Sequence, residues 1–160
     1  MSQRIRMLVA CVAAAVIAVP GIAAAGGRTG GDTGDATQMV AEAKRVEIAI
    51  VTAYNDRRWD ELPPLFAEDA VLLLSNHEPI HGRDAVAGYY ETLRDVVGEI
   101  NDGWEHLRVQ GSGTSATLTG IVTLGSGRVR VWYSDLYERQ PDGSVQLAVN
   151  AIAFAQRPVG

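Results

Sequence analysis

Asp135 is the residue of this chain best placed to do chemistry. The segment Arg128 to Glu138 alternates like a strand, which sets Asp135 on one face with Val129, Val131, Tyr133 and Tyr137. A carboxyl group among two aliphatic and two aromatic side chains has its pKa raised by desolvation unless donors or a cation compensate. A carboxyl kept neutral can donate a hydrogen bond to an oxygen that gains charge during a reaction. The bland alternative is an aspartate tied to Tyr133, Tyr137, Asn150 or backbone amides, fixing local structure without chemistry. Asn150 is a second polar outlier, alone in the apolar run Leu147 to Phe154. A buried amide there must find partners, and a neighbouring strand offers Asp135 or Tyr133.

Proton transfer would need a second group. His77, Glu78 and His81 lie together after an apolar run, and an imidazole titrates near neutrality. Both histidines are therefore candidate partners for Asp135, against the default that loop histidines are solvated. The same pair, with Asp69 nearby, raises the question of a metal. Pro79 between them excludes a shared helical face, and a catalytic zinc needs a third ligand at fixed geometry, so neither metal nor cofactor is expected. His106 alternates with Trp104, Arg108 and Gln110, a pattern of solvated or interface positions. A glycine-rich phosphate loop, a Gly-x-Ser-x-Gly elbow and a Cys-His pair are all missing from the sequence, which leaves acid–base work as the chemistry open to it.

The elements that must position these residues fall into two halves. After Asp35 or Thr37 as cap, Met39, Ala43, Val46, Ile50, Ala53 and Tyr54 mark one stripe of a long helix. Trp59 to Phe66 reads as a second short helix, with Pro63-Pro64 tolerated near its first turn. Ala70 to Ser75 has strand length, and a loop over 76–82 leads to a third helix with Val86, Tyr89, Tyr90, Leu93 and Val97 in step. Downstream, turns at Gly111-Ser112-Gly113, Gly125-Ser126-Gly127 and Pro141-Asp142-Gly143 punctuate a four-strand meander. Helices first and a meander afterwards predict an α+β domain with helices on one sheet face. Tyr54, Tyr89, Tyr133 and Asn150 are then candidate ligand contacts, and Trp132 with Leu136, on the face opposite Asp135, a candidate subunit interface.

The chain has 160 residues. Arg4 and Arg6, the apolar run Met7 to Val19, and Ala23-Ala24-Ala25 follow the order of a secretory signal peptide over 1–25, too short for the roughly 20 apolar residues of a membrane span. Residues 26–36, rich in glycine, read as a flexible leader, and 37–160 as the domain. Only four apolar residues precede Cys11, which argues against a lipoprotein box. Cleavage after Ala25 takes two of the 14 basic residues and leaves 12 against 19 acidic ones, a net charge of about −7. An acidic chain lacks the basic footprint of a nucleic-acid or anionic-lipid partner. The expected location is secreted or periplasmic, free of the membrane once the signal is removed, and a domain without cysteine must rest on its hydrophobic core.

Leu65-Phe66-Ala67-Glu68-Asp69-Ala70-Val71, then Gly82-Arg83-Asp84-Ala85-Val86 and Tyr89-Tyr90, resemble the ketosteroid isomerase-like (nuclear transport factor 2-like) superfamily over roughly residues 38–157. The resemblance implies a cone of about three N-terminal helices on a curved antiparallel sheet, an internal pocket, and homodimers paired through the outer sheet face. It also implies that Asp135 matches the oxyanion-hole acid of ketosteroid isomerases. Counting from Phe66, however, their general base falls on Leu74 and their oxyanion tyrosine on Ile50, so two of three catalytic groups are missing. SnoaL-like polyketide cyclases, which pair a pocket aspartate with a histidine or water, are similar in pattern and imply Asp135 with His77 or His81. The expectation is a pocket protein that binds a small, largely apolar organic molecule. The alternative is an isomerase, cyclase or dehydratase using Asp135 and a loop histidine.

Overall fold

The structure, a computed structural model, describes residues 32–75, 77–100, 105–125 and 129–154. The signal segment 1–25, most of the leader, Arg128 and the tip of the Gly125-Ser126-Gly127 turn lie outside the described residues. Helix α1 spans Asp32–Asn55 and so begins inside the segment read as a leader. Thr37, expected as a cap, instead bonds back to the Thr33 carbonyl within the helix, and acidic Asp35 suits the positive first turn. The expected second helix resolves into two 3₁₀ turns, Trp59–Glu61 and Pro63–Leu65, because paired prolines withhold the amides that a longer α-helix requires. Phe66 belongs to the next strand.

Strand β1 (Phe66–Leu74) leads through a tight return to the short β2 (Ile80–His81), and helix α2 (Arg83–Val97) follows. The meander comprises β3 (Glu105–Gly111), β4 (Ser115–Leu124), β5 (Val129–Arg139) and β6 (Val145–Phe154). The six strands lie in the order β2-β1-β6-β5-β4-β3. All pairs are antiparallel except β1 with β6, so the sheet is mixed rather than purely antiparallel. The architecture is the expected α+β arrangement.

The Gly82-Arg83 motif acquires a physical role here. Gly82 has φ 89°, a conformation that glycine adopts without strain, and its amide reaches the Ala70 carbonyl at 2.8 Å. The Arg83 Nε donates to the Phe66 carbonyl at 2.8 Å, so the start of α2 is fastened to both ends of the β1 irregularity between Phe66 and Val71. Across the sheet, α1 buries Met39, Ala43, Ile50, Ala53 and Tyr54, and α2 buries Val86, Ala87 and Tyr90. They meet Leu72, Leu118, Tyr137 and Leu147 from the inner sheet face, each fully buried apolar side chain contributing about 1.5–3 kcal/mol. At the far end, Arg139 pairs with Glu42 at 2.6 Å and ties β5 to α1.

The outer face is different. Trp132 and Leu73 stand 49% and 40% exposed beside a shallow trough that also includes Ser134, Ala151 and Ala153. Among the described residues no helix is long and apolar enough to cross a membrane.

Candidate functional site

Between the two helices and the inner sheet face lies a cavity of about 70 Å³. By the volume one water requires, this is room for roughly five of them, or a molecule on the order of six to nine non-hydrogen atoms. Its wall is largely aliphatic and aromatic, and its polar groups come from Glu47, Asp135, Asn150 and four tyrosines, Tyr54, Tyr90, Tyr133 and Tyr137.

Asp135 and Asn150 face each other in register across β5 and β6, so both project to the inner face at the same level. The Asn150 Nδ2 donates to Asp135 Oδ1, and its Oδ1 accepts from the Tyr90 hydroxyl at 2.9 Å. That second bond fixes the orientation of the amide and leaves its nitrogen for the aspartate. The Tyr137 hydroxyl contacts Asp135 Oδ2 at 3.5 Å, a long and weak bond. Burial pushes the Asp135 carboxyl up to about 8, opposed by the Asn150 hydrogen bond and reinforced by the Glu47 carboxylate. At neutral pH the protonated form is thus favoured roughly tenfold. Oδ1 accepts the short bond from Asn150 and Oδ2 only the long, weak one from Tyr137, so the proton belongs on Oδ2.

Burial likewise raises Tyr90 and Tyr137 well above the usual phenol range and takes Tyr54 to about 12. All three are neutral donors at physiological pH. The Tyr54 hydroxyl is committed to the Gly98 carbonyl at 2.8 Å, so this side chain offers the cavity its ring rather than its oxygen.

The site brings together Asp135, Asn150, Tyr133 and Tyr54 as expected. It does not include His77, His81 or Tyr89. The chain turns back after β1, so His81 pairs with Val71 on the outermost strand and is exposed. His77 is exposed too, bonded to the adjacent Glu78 carbonyl and packed edge-on against Tyr89 at 5.6 Å. Tyr89 is displaced by about 100° of helix from Tyr90, which is the α2 tyrosine that reaches the cavity. Leu74 is core and Ile50 cavity wall, and neither can move a proton.

Sequence reasoning missed Glu47. It sits four residues after Ala43 and three before Ile50, on the buried stripe of α1, where Val46 was placed; Glu47 is 4% exposed and Val46 only half-buried. A glutamate at stripe spacing was the available signal. Its Oε2 meets His106 Nε2 at 2.8 Å, which also corrects the solvated reading of His106. The imidazole packs edge-on against Tyr133 at 6.4 Å. Gly120, in register with His106 on one side and Tyr133 on the other, makes this convergence possible. A Cβ there would lie 2.8 Å from the Tyr133 ring and 2.2 Å from the Glu105 carbonyl. Among the described residues no group of three or more His, Cys, Asp or Glu side chains could hold a metal ion.

Solved structures of similar shape share the fold at low identity. A ketosteroid isomerase-like protein from Erwinia carotovora atroseptica is 21% identical, with a TM-score of 0.59 over 75% of this chain and 98% of that one. An NTF2-like protein of unknown function from Pseudomonas putida KT2440 is 18% identical, with a TM-score of 0.65 over 77% and 91%. A cystatin-like fold protein from Burkholderia xenovorans LB400 is 16% identical, with a TM-score of 0.57 over 76% and 95%. No curated protein matches the sequence. The family model of the SnoaL-like domain matches residues 48–147, from α1 to the start of β6, and covers Tyr54, Tyr90, Tyr133, Asp135 and Tyr137 of the cavity but neither Glu47 nor Asn150. The chain belongs to the SnoaL-like domain family, and it shares its fold with the ketosteroid isomerase-like and NTF2-like structures above.

Proposed function

We propose that this protein binds a small, largely apolar organic molecule bearing one carbonyl-like oxygen. Asp135 donates a hydrogen bond to that oxygen, and Asn150 with Tyr90 holds Asp135 in place. The observation that carries the reading is a fully buried carboxyl in a largely aliphatic and aromatic wall, pushed up to about 8 by burial, since its neutral form satisfies an acceptor without adding a charge of its own. A wall with few polar groups suits this ligand class better than a sugar or a nucleotide. The enzyme reading that pairs Asp135 with His77 or His81 finds no support, because both imidazoles lie outside the cavity wall.

Native mass spectrometry of the protein from its own host, beside Asp135→Ala, tests the binding. A small molecule retained by the wild type and lost by the variant supports it. An empty wild type that also shows no saturation transfer to small ketones in NMR refutes it.

The protein acts outside the cytoplasm as a homodimer in the same proposal. The charge, apolar and small-residue order of the N-terminus supports export, which N-terminal sequencing of secreted material checks by a start at Gly26. The exposed Trp132 and Leu73 support pairing of two copies through the outer sheet face. Trp132→Asp should then sediment as a monomer.

A further inference from the structure

The cavity has two unlike ends. Asp135 and Asn150 share one row of the sheet, while Val131, flanked by Val122 and Phe154, stands four positions away along β5, about 13 Å at strand spacing. Along that length the wall changes from carboxyl, amide and phenol groups to aliphatic and phenyl ones. Asp135, Asn150 and Tyr137 are buried, whereas Val122, Ile152 and Phe154 are only partly so, which makes the apolar end the one nearer solvent. A cavity of about 70 Å³ drawn out over such a distance is roughly one chain wide. Resting on the binding reading, we infer that the site takes an unbranched aliphatic chain with its oxygen at Asp135, and that Ile100, held by Asn55, sets how long that chain can be.

Ile100 lines the cavity and bridges to Leu124, the last residue of β4, beyond the row of Val122. It belongs to a strap, Gly98-Glu99-Ile100, that leaves α2 and crosses the apolar end. Each residue of the strap is fastened separately. The Tyr54 hydroxyl donates to the Gly98 carbonyl at 2.8 Å. Arg94 pairs with the Glu99 carboxylate at 2.7 Å, and the Gly125 amide donates to the Glu99 carbonyl at 2.9 Å. Asn55 spends both ends of its side-chain amide on Ile100: Oδ1 accepts from the Ile100 amide at 2.9 Å, and Nδ2 donates to the Ile100 carbonyl at 2.8 Å. The approach to β4 requires glycine on both sides, since a Cβ on Gly98 would lie 3.1 Å from the Gly125 Cα and one on Gly125 would lie 2.5 Å from the Val97 carbonyl. Asn55 reproduces the pairing that a neighbouring strand would give, and so fixes the backbone from which the Ile100 side chain meets the cavity. It is a positioning residue, and Ile100 is the stop against which the far end of the chain rests.

Linear alkan-2-ones from pentan-2-one to undecan-2-one serve as probes, their affinities taken from ligand-observed NMR titrations. In the wild type each added methylene should tighten binding about fourfold until the chain fills the cavity at about nine non-hydrogen atoms, the size of octan-2-one, after which lengthening should gain nothing. Ile100→Ala shortens the stop and should let the gain continue for about three further carbons. Ile100→Phe lengthens it and should end the gain earlier, which serves if the alanine variant does not fold. Asn55→Ala leaves Ile100 in place but unfastened; octan-2-one should still bind, and longer members should gain as they do in Ile100→Ala. A role of Asn55 confined to the end of α1 would lower stability and leave the length limit where it was, which overturns its part in the inference. The same limit in wild type, Ile100→Ala and Ile100→Phe overturns the assignment of Ile100 and leaves the binding site standing. Tighter binding of cyclooctanone than of octan-2-one overturns the unbranched chain. Absence of binding by every member overturns both this inference and the binding reading.

Discussion

Replacing Asp135 by asparagine should change how stability depends on pH. The folded protein holds the Asp135 proton up to about pH 8, while the unfolded chain releases it near the ordinary 3.8. Between those values the native state binds more protons, so its stability falls as pH rises. The contribution is fully present below pH 3.8 and fully lost above pH 8. At 1.36 kcal/mol per unit, the shift corresponds to about 6 kcal/mol over the whole window and about 3 kcal/mol between pH 5 and pH 7. In Asp135→Asn the amide oxygen still accepts from Asn150, the pair still matches in register, and nothing at position 135 titrates. Subtracting the wild-type curve from that of the variant cancels the groups that do not interact with Asp135. Urea unfolding of both proteins at pH 5, 6 and 7 should show the variant gaining on the wild type by about 1.4 kcal/mol per pH unit. A difference constant to within about 0.5 kcal/mol across that range would mean that Asp135 ionises normally. The neutral donor on which the site depends would then not exist.

Gly120→Ala should be among the more damaging single-methyl additions, because its Cβ meets the Glu105 carbonyl as well as the Tyr133 ring. A loss of about 3 kcal/mol or more in thermal or urea unfolding is expected, at the upper end for overpacking. Arg83→Met keeps the aliphatic stem and removes the bond to the Phe66 carbonyl, for an expected loss of about 1–3 kcal/mol by the same assay. His77→Ala and His81→Ala, on exposed side chains, should each leave stability within about 0.5 kcal/mol and leave small-ketone binding unchanged in saturation-transfer NMR.

The meander was readable in the sequence because its strands alternate and its turns carry glycine. Asp135 was readable for the same reason: on a two-residue period, one polar residue among Val131, Tyr133 and Tyr137 stands out. Its partner Asn150 stood out similarly in an apolar strand. Helical faces are less sharply defined, since neighbours differ by only 100°. That margin exchanged Tyr89 for Tyr90 and Val46 for Glu47, and it hid the second carboxyl of the cavity wall. His106 was illegible for another reason. Its role depends on Gly120 directly opposite on the neighbouring strand and on Glu47 from α1, a convergence that no local spacing encodes. The loop histidines drew attention by chemistry alone, while their placement was decided by the turn that makes β2 an edge strand.

The parallel pairing of β1 with β6 has a bearing on how the molecule comes into being. The three meander hairpins join neighbours in sequence and can form as each is synthesised, whereas Leu72 meets Asn150 across nearly eighty residues. Non-local pairings of this kind are slow to close. Until β6 arrives, β1 has only the two-residue β2 as a neighbour, and Tyr90 lacks the amide that receives its hydroxyl. The cavity is thus completed by the last strand of the sheet, and a nascent chain that has made both helices and most of its strands still presents an open, apolar interior to whatever surrounds it.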